Sequence, residues 1–203
     1  MATDDPTPFQ AIPWVSNLLK DESFITLSIP SRTPKSSTED SLFSKTLNSS
    51  TTLSACLSQY RRPPHLTPSK HAQSAHGTTP IGTEELRTFW IVGSDLNGYP
   101  GILHGGIAAT LMDEVTGLLL TINGNVGDAS LREAKDADPG PVTAYLNTNF
   151  LRPILTPGAI LVQARMKEMK ENRKWRIEAQ ICDSEGQVLA TAEALFIKLR
   201  SKI

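Results

Sequence analysis

The chain has 203 residues, of which 39% are hydrophobic and 20% are charged, with a formal net charge of −1 at pH 7. This length is enough for one soluble domain with a hydrophobic core and a short additional segment. The balanced charge excludes a dedicated nucleic-acid-binding protein, and no apolar run reaches the roughly 18 residues that a membrane span needs. The two cysteines, Cys56 and Cys182, form no CxxC motif, which excludes a disulfide scaffold and a cysteine-rich zinc site.

Residues 1–83 are predicted to form an N-terminal helical and linker extension. The acidic start has no Arg or Lys where a secretory or mitochondrial leader needs them, so we expect a cytoplasmic protein, with a mitochondrial location left open. Apolar residues at helical spacing predict an amphipathic helix followed by a helical pair, over 9–24, 38–47 and 52–60. Residues 63–83 are polar and rich in Pro and Ser, which predicts a mobile surface loop.

Residues 84–203 are predicted to form one domain, with strands packed around a long helix. The helix begins at Gly105 or Gly106 and ends at Ile122, and a polar insertion over 123–140, also predicted to be mobile, follows it. Strand patterns with period-two alternation, which indicates a sheet with one polar face, cover 86–92, 142–151, 160–169, 174–182 and 187–199. The helix and the antiparallel sheet must bury each other. We therefore predict an α+β hot-dog fold, in which the sheet wraps around one long central helix.

Two glycines, Gly105 and Gly106, lie at the junction between a turn-rich loop and this helix. A helix N-terminus concentrates backbone N–H donors without partners and carries the positive end of the helix dipole. The junction is therefore a candidate site for an anion or a developing oxyanion. The alternative is a glycine-assisted turn with no chemical role, and the residues alone leave both interpretations open.

Asp113 lies two turns further along, inside an otherwise apolar helix, where an unpaired carboxylate is costly to bury. Its helical neighbours at a spacing of three and four residues are small, so a substrate could approach this face; they are Ala109, Thr110, Thr116 and Gly117. Glu114 points about 100° further around the helix, so the two acids cannot both face one pocket. Exposure of one or both acids to solvent is the alternative.

The motif His104-Gly105-Gly106 followed by Asp113 resembles the signature of hot-dog acyl-CoA thioesterases of the phenylacetate-pathway type. Residues 142–150, with Arg152 and Pro153, resemble the next strand of the branch of thioesterase superfamily members. Residues 192–196 resemble the last strand of that family. The N-terminal segment is similar to the front end of fungal members. Three separated blocks thus agree in order.

This resemblance implies an acyl-CoA thioesterase that needs no cofactor and no metal. Asp113 would be the general base or the nucleophile, the Gly105 N–H would polarise the thioester carbonyl, and Thr143 would hold the attacking water. His104 would shape the turn. Further substrate contacts are expected at Gly106, Thr110, Thr116, Gly117 and Asn147. The family pattern also implies a homodimer or homotetramer with the active site at a subunit interface, and the insertion over 123–140 departs from that pattern.

Other functions are weighed against this one. An enoyl-CoA hydratase of the same fold would have a His in the helix, but no His follows His104. The spacing of His65, His71 and His76 fits a solvated loop and not a metal site. The chain contains no Gly-x-Ser-x-Gly motif of a serine hydrolase. A non-catalytic acyl-CoA-binding or scaffold protein stays open, as does the length of the acyl chain.

Overall fold

The computed structural model describes residues 5–63, 82–124, 140–171 and 173–199. Most of the two stretches predicted to be mobile, 63–83 and 123–140, therefore lies outside the described residues. The structure begins with two short helices and ends with a run of long strands. The elements in chain order are α1 (Thr7–Gln10), α2 (Pro13–Leu19), β1 (Phe24–Leu27), β2 (Leu53–Arg61), β3 (Glu85–Val92), β4 (Asn97–Tyr99), β5 (Ile102–Leu103), α3 (Gly105–Ile122), β6 (Pro141–Phe150), β7 (Gly158–Lys170), β8 (Lys174–Cys182) and β9 (Val188–Lys198).

Seven of the strands form one sheet in the order β1-β2-β3-β7-β8-β9-β6, and every neighbouring pair is antiparallel. The strands β4 and β5 form a separate hairpin just before α3. Since β1 and β6 each pair with one neighbour, they are the two edges of the sheet. The predicted α+β fold, with one sheet around one long helix, is confirmed.

Helix α3 packs along the inner face of the sheet because its apolar side chains recur at helical spacing. Its largest fully buried residues are Leu111, Met112, Leu119 and Leu120, and they belong to the main core together with Trp90 and Trp175. By length and composition alone α3 could cross a membrane. The sheet covers the apolar side of α3 instead, as expected for the core helix of a globular domain.

The N-terminal segment differs from the prediction. The region predicted as a helix over 52–60 is strand β2, the one over 38–47 is a single π-helical turn at Leu42–Thr46, and the one over 9–24 divides into α1, α2 and β1. The β2 residues Cys56 and Leu57 lie in cores on opposite faces of the sheet. A strand buried on both faces shows no polar alternation, so its short apolar run cannot be told from a helix by periodicity.

The sheet also extends across the boundary predicted between residues 83 and 84, because β2 and β3 on either side of it are paired. Helices α1 and α2 cover the outer face of these strands, where Phe9 lies 6.2 Å from Phe89 between ring centroids. The segment after β1 turns to the inner side, where Phe43 lies 5.9 Å from Trp90. The N-terminal segment therefore wraps around the β1 edge and packs on both faces of the sheet.

Arg32 anchors the inner part of this segment. It is a buried cation, with only 5% of its surface exposed. Its guanidinium donates hydrogen bonds to Asn48 Oδ1 and to three backbone carbonyls, those of Phe43, Leu47 and Leu53. A buried cation is tolerated when its donors are satisfied in this way. The Arg32 side chain thus holds the turn at 30–32, the π-helical turn and the start of β2 together.

Candidate functional site

Helix α3 begins at His104, whose side chain caps it. The backbone N–H of Gly106 donates to His104 Nδ1 at 2.9 Å, and the N–H groups of Ile107 and Ala108 donate to the His104 carbonyl. An accepting Nδ1 belongs to a neutral imidazole whose proton is on Nε2. Among the residues that the structure describes, the Gly105 N–H has no hydrogen-bond acceptor. It is therefore a free donor at the positive end of the helix dipole.

Both glycines are in close contact with ring side chains. A Cβ atom on Gly105 would lie 3.4 Å from the Phe150 ring, and one on Gly106 would lie 3.0 Å from His104 Nδ1. Phe150 is the last residue of β6 and is 54% exposed. The sequence analysis did not select Phe150, although it lies on the same face of β6 as Leu146 and Thr148. Its ring lies against Gly105, at the start of α3.

Asp113 lies in the middle of α3 and is hydrogen-bonded to the edge strand. Thr143 Oγ1 donates to Asp113 Oδ1 at 3.2 Å. Burial raises the pKa of the Asp113 carboxyl above its ordinary value, and the bond from Thr143 opposes that shift. A desolvated carboxylate with a raised pKa is a stronger base than an exposed one, which suits proton abstraction.

The other predicted substrate contacts lie in three different places: the accessible side of α3, the core and the outer face of the sheet. Thr110 and Gly117 lie on the accessible side of α3 near Asp113, and a Cβ on Gly117 would meet no atom within 4 Å. Thr116 is fully buried, and its hydroxyl donates to the Asp113 carbonyl at 2.9 Å, so it does not face a substrate. Asn147 pairs with Glu193 in the sheet and lies on the outer face, away from Asp113.

Glu114, next to Asp113, has a different partner. Ser31 Oγ donates a hydrogen bond to Glu114 Oε1 from the N-terminal segment. Burial raises the pKa of Glu114 to about 7; the Ser31 bond and nearby Arg32 oppose this shift, whereas the charges of Asp40 and Asp113 add to it. As the helical geometry predicts, the two adjacent acids face different surroundings.

A second polar feature lies at the end of the sheet where β6 begins. The turn between β7 and β8 and the end of β9 line an open cleft of about 410 Å³. Four cationic side chains and one carboxylate contribute to its lining, from Lys170, Arg173, Lys174, Lys198 and Glu171. Lys198 pairs with Pro141, two residues before Thr143 on β6, so this cationic cleft is separate from the Asp113 site but on the same end of the sheet.

No group of three His, Cys, Asp or Glu side chains in the described ranges could hold a metal ion. His65, His71 and His76 lie outside those ranges. The structure therefore provides a half-buried carboxylate with a hydroxyl partner, and a backbone N–H at a helix N-terminus that has no acceptor within the described ranges. These groups can activate water and stabilise an oxyanion, which are the two requirements of acyl transfer to water.

Comparison with known proteins shows similarity over this same region. Residues 100–190 match a family model described as the thioesterase superfamily. The chain is 29% identical over 175 residues to verlamelin biosynthesis protein B of Lecanicillium sp., covering 77% of this chain and 71% of that protein. It is 32% identical over 108 residues to acyl-coenzyme A thioesterase THEM4 of Rattus norvegicus, covering 53% of this chain and 40% of that protein.

A crystal structure of a thioesterase superfamily protein aligns with a TM-score of 0.46 and 25% identity, over 56% of this chain and 51% of that one. The chain spans less than half the length of the rat acyl-coenzyme A thioesterase, which is 40% covered.

The raised pKa of Glu114 makes stability depend on pH, and Glu114→Gln tests this. Between the ordinary value of 4.5 and about 7, the unfolded chain ionises Glu114 while the folded chain keeps it protonated. The parent therefore loses stability as pH rises through this window, whereas the Gln variant does not. Above pH 7 the variant should be more stable by about 1–3 kcal/mol, with no advantage below pH 4.5. Urea unfolding from pH 4 to 8.5 measures this difference.

Glu178→Gln is the matched control, because Glu178 lies exposed on the outer face of β8. The free energy of unfolding of Glu178→Gln should match that of the parent across the whole pH range. A Glu114→Gln advantage that is the same at pH 4 and pH 8.5 would show that Glu114 titrates as an ordinary exposed carboxylate.

Proposed function

We propose that the chain is a hot-dog protein of the thioesterase superfamily and that it hydrolyses an acyl-CoA thioester to the free acid and coenzyme A. The observation that carries this proposal is the Asp113 carboxylate, which is partly buried and hydrogen-bonded to Thr143. It lies on the helix whose first N–H has no acceptor in the part of the chain that the structure describes. The similarity to an acyl-coenzyme A thioesterase supports the choice of substrate class.

In the proposed reaction, Asp113 takes a proton from a water molecule that Thr143 helps to hold. The water oxygen attacks the thioester carbonyl carbon, and the negative charge that develops on the carbonyl oxygen is stabilised by the Gly105 N–H. The carbonyl then re-forms as the carbon–sulfur bond breaks, and the leaving sulfur of coenzyme A takes the proton from Asp113, which gives the thiol and the free acid and regenerates the base. Direct attack by Asp113, with a later hydrolysis step, uses the same groups and is the alternative route.

These groups cannot all come from one copy of the chain. Gly105 and Asp113 are eight residues apart on α3, which places them about 12 Å apart along the helix axis and about 80° apart around it. A carboxylate, one water molecule and a carbonyl group span less than this distance. We therefore propose that each site uses Asp113 of one copy and the Gly105 N–H of another, as in a homodimer or in a homotetramer built from such dimers.

The β6 edge supports this assembly. Its strand pairs on one side only, with β9, and it carries both Thr143 and Phe150. Exposed large hydrophobic residues lie on or near this edge, and burial against a second copy would remove them from water; they are Tyr99, Phe150, Leu151 and Leu155.

The cationic cleft has the charge to bind the phosphates of coenzyme A. Pro141, which pairs with the cleft residue Lys198, is two residues from Thr143, or about 7 Å along β6. An extended pantetheine arm could connect a thioester at Asp113 with phosphates at this end of the sheet. Lys and Arg side chains bind phosphate through charge-assisted hydrogen bonds.

Replacing Asp113 by Asn removes the base but keeps its size, so kcat should fall by roughly 10²–10⁴ while KM changes little. Thr143→Ala should have a smaller effect, because the base remains. Glu114→Gln should stay close to the parent. Release of free thiol from a panel of acyl-CoAs measures these rates, with the melting temperature as a control. If the parent hydrolyses no acyl-CoA but binds one, the chain is a binding protein.

Gly105→Pro removes the proposed oxyanion donor and can keep the helix, because proline is favoured at the first helical position. His104 already has the extended conformation that a residue before proline prefers, with φ −62° and ψ 132°. This variant should lose activity on its own. Co-expressed with Asp113→Asn, Gly105→Pro should recover about a quarter of the parental activity. Half of the dimers are then hybrids, and each hybrid has one intact site of two.

That recovery requires the site to be shared between copies. If co-expression of the two variants restores no activity, although both variants form the parental oligomer, then the Gly105 N–H and Asp113 serve the same site within one copy. A monomeric parent with full activity at micromolar concentration would exclude the shared site altogether.

Lys174→Ala and Lys198→Ala should each raise KM for an acyl-CoA by about three- to tenfold and leave kcat nearly unchanged, as expected for a phosphate contact on the surface. The same variants should not affect hydrolysis of an acyl-pantetheine thioester, which has no phosphates. Lys167→Ala, on β7 outside the cleft, is the control. An equal loss with both substrates would show that the cleft does not bind the nucleotide.

A further inference from the structure

The middle of helix α3 is held from both edges of the sheet. Within the described ranges, two hydrogen bonds from other elements reach it between its ends, and they end on neighbouring residues. Thr143 of β6 donates to Asp113, and Ser31, which follows β1, donates to Glu114. Since β1 and β6 are the opposite edges of the seven-stranded sheet, the two contacts hold the helix from opposite sides.

The remaining contacts of this part of α3 are largely apolar, through residues such as Leu111, Met112 and Val115. Hydrophobic burial is non-directional and constrains the depth of the helix more strictly than its rotation about its axis. Hydrogen bonds are directional. Because side chains at 113 and 114 point about 100° apart, a bond to each from a different side sets the rotation.

Ser31 is well placed for this purpose because its own segment is anchored. Ser31 is buried, and the next residue, Arg32, donates to Asn48 and to three backbone carbonyls that extend from the π-helical turn to β2. The turn that carries Ser31 is therefore part of the core and not a loose strap. The Ser31 hydroxyl donates to Glu114, which lies 83 residues later in the sequence.

We infer that the Ser31–Glu114 hydrogen bond is a positioning contact, which holds α3 at the rotation that brings Asp113 to Thr143. Glu114 and Ser31 touch neither the substrate nor the reacting atoms. They act through Asp113, and the N-terminal segment is thereby part of the catalytic apparatus. This inference rests on the proposed thioesterase function for its kinetic consequences but not for its structural ones.

The role requires a hydrogen-bond acceptor at position 114 and not a charge. The amide oxygen of Gln can accept the Ser31 bond as the carboxylate does, whereas Ala cannot. A displacement of the catalytic base by about 1 Å can cost up to about 10²-fold in rate, because the attacking water must be aligned. Substrate binding depends less on this alignment, so the effect should fall on kcat.

The experiment compares Ser31→Ala, Glu114→Ala and Glu114→Gln with the parent. Ser31→Ala and Glu114→Ala should lower kcat by about 10-fold and change KM by less than about twofold, while Glu114→Gln stays within about twofold of the parent in both. In Ser31→Ala the loss of the Thr143 bond should also move the acid limb of the kcat–pH profile to higher pH, because that bond favours the ionised form of Asp113.

A double-mutant cycle tests whether Ser31 acts through Thr143 and Asp113. In a Thr143→Ala background the further Ser31→Ala change should lower kcat by less than about threefold, because the contact it supports is already absent. Ser58→Ala is the matched control. Its buried hydroxyl bonds Thr88 Oγ1 at 2.7 Å between β2 and β3 and bonds neither acid, so it should keep the parental kcat and pH profile.

The inference would be overturned if Ser31→Ala and Glu114→Ala kept the kcat and the acid limb of the pH profile of the parent. A double-mutant cycle in which the effects of Ser31→Ala and Thr143→Ala simply add would also overturn it, as would an equal loss of kcat in Ser58→Ala. If the parent has no thioesterase activity, the proposed function fails and the inference is tested separately. The carboxyl carbon of Asp113, followed by NMR through a pH titration, should then still titrate at higher pH in Ser31→Ala than in the parent. An unchanged titration would refute the positioning role.

Discussion

Helix α3 is apolar along the side that the sheet covers, yet it carries two adjacent carboxylates in its middle, and both need polar partners in a mostly apolar setting. One edge of the sheet supplies Thr143 to Asp113, and the segment beyond the other edge supplies Ser31 to Glu114. A buried carboxylate without a donor is costly, so these contacts are constraints on the fold as well as on the site. Each contact thereby connects one side of the sheet to the middle of α3.

The N-terminal segment is consequently more than an appendage. It adds β1 and β2 to the sheet, covers the outer face with Phe9 and Val15, and returns to the inner side around Arg32. Four hydrogen bonds from one buried guanidinium hold this last part in place, because breaking any of them leaves a donor of the buried cation unsatisfied. This anchoring next to Ser31 is what allows a contact so distant in sequence to constrain the helix.

The same helix explains why the chemistry points to more than one copy of the chain. Its first N–H and its carboxylate are separated by two turns, so one carbonyl group cannot meet both on a single helix. The N–H and the carboxylate each have, within one copy, the property that their proposed role requires. The Gly105 N–H has no acceptor among the described residues, and the pKa of Asp113 is raised by burial. These two separate groups, together with a strand edge that has exposed apolar residues near it, support the proposed assembly with a second copy.

Much of this architecture could be predicted from local patterns. Helix α3 and the strands β8 and β9 are predicted within a few residues, because each buries mainly one face and its periodicity reflects that face. Strands β3 and β7 are predicted as well, although Phe89 and Leu161 also bury their outer face. The glycines at the start of α3 and the acid in its middle are also local signals. They stand out because a bare helix end and a charge in an apolar run are both unusual. The structure adds that Thr143 is hydrogen-bonded to Asp113.

The sequence by itself thus determined the elements with one buried face and the two chemical groups on α3. Only the tertiary structure decided that residues 53–61 form a strand, since burial on both faces removes the alternation that marks one. Only the tertiary structure placed Thr116 in the core and Asn147 on the outer face, since spacing does not record strand register or the side from which a neighbour packs. The partner of Glu114 lies 83 residues away, and no local pattern encodes a contact at that distance, because the chain reaches it only after the sheet has closed around the helix.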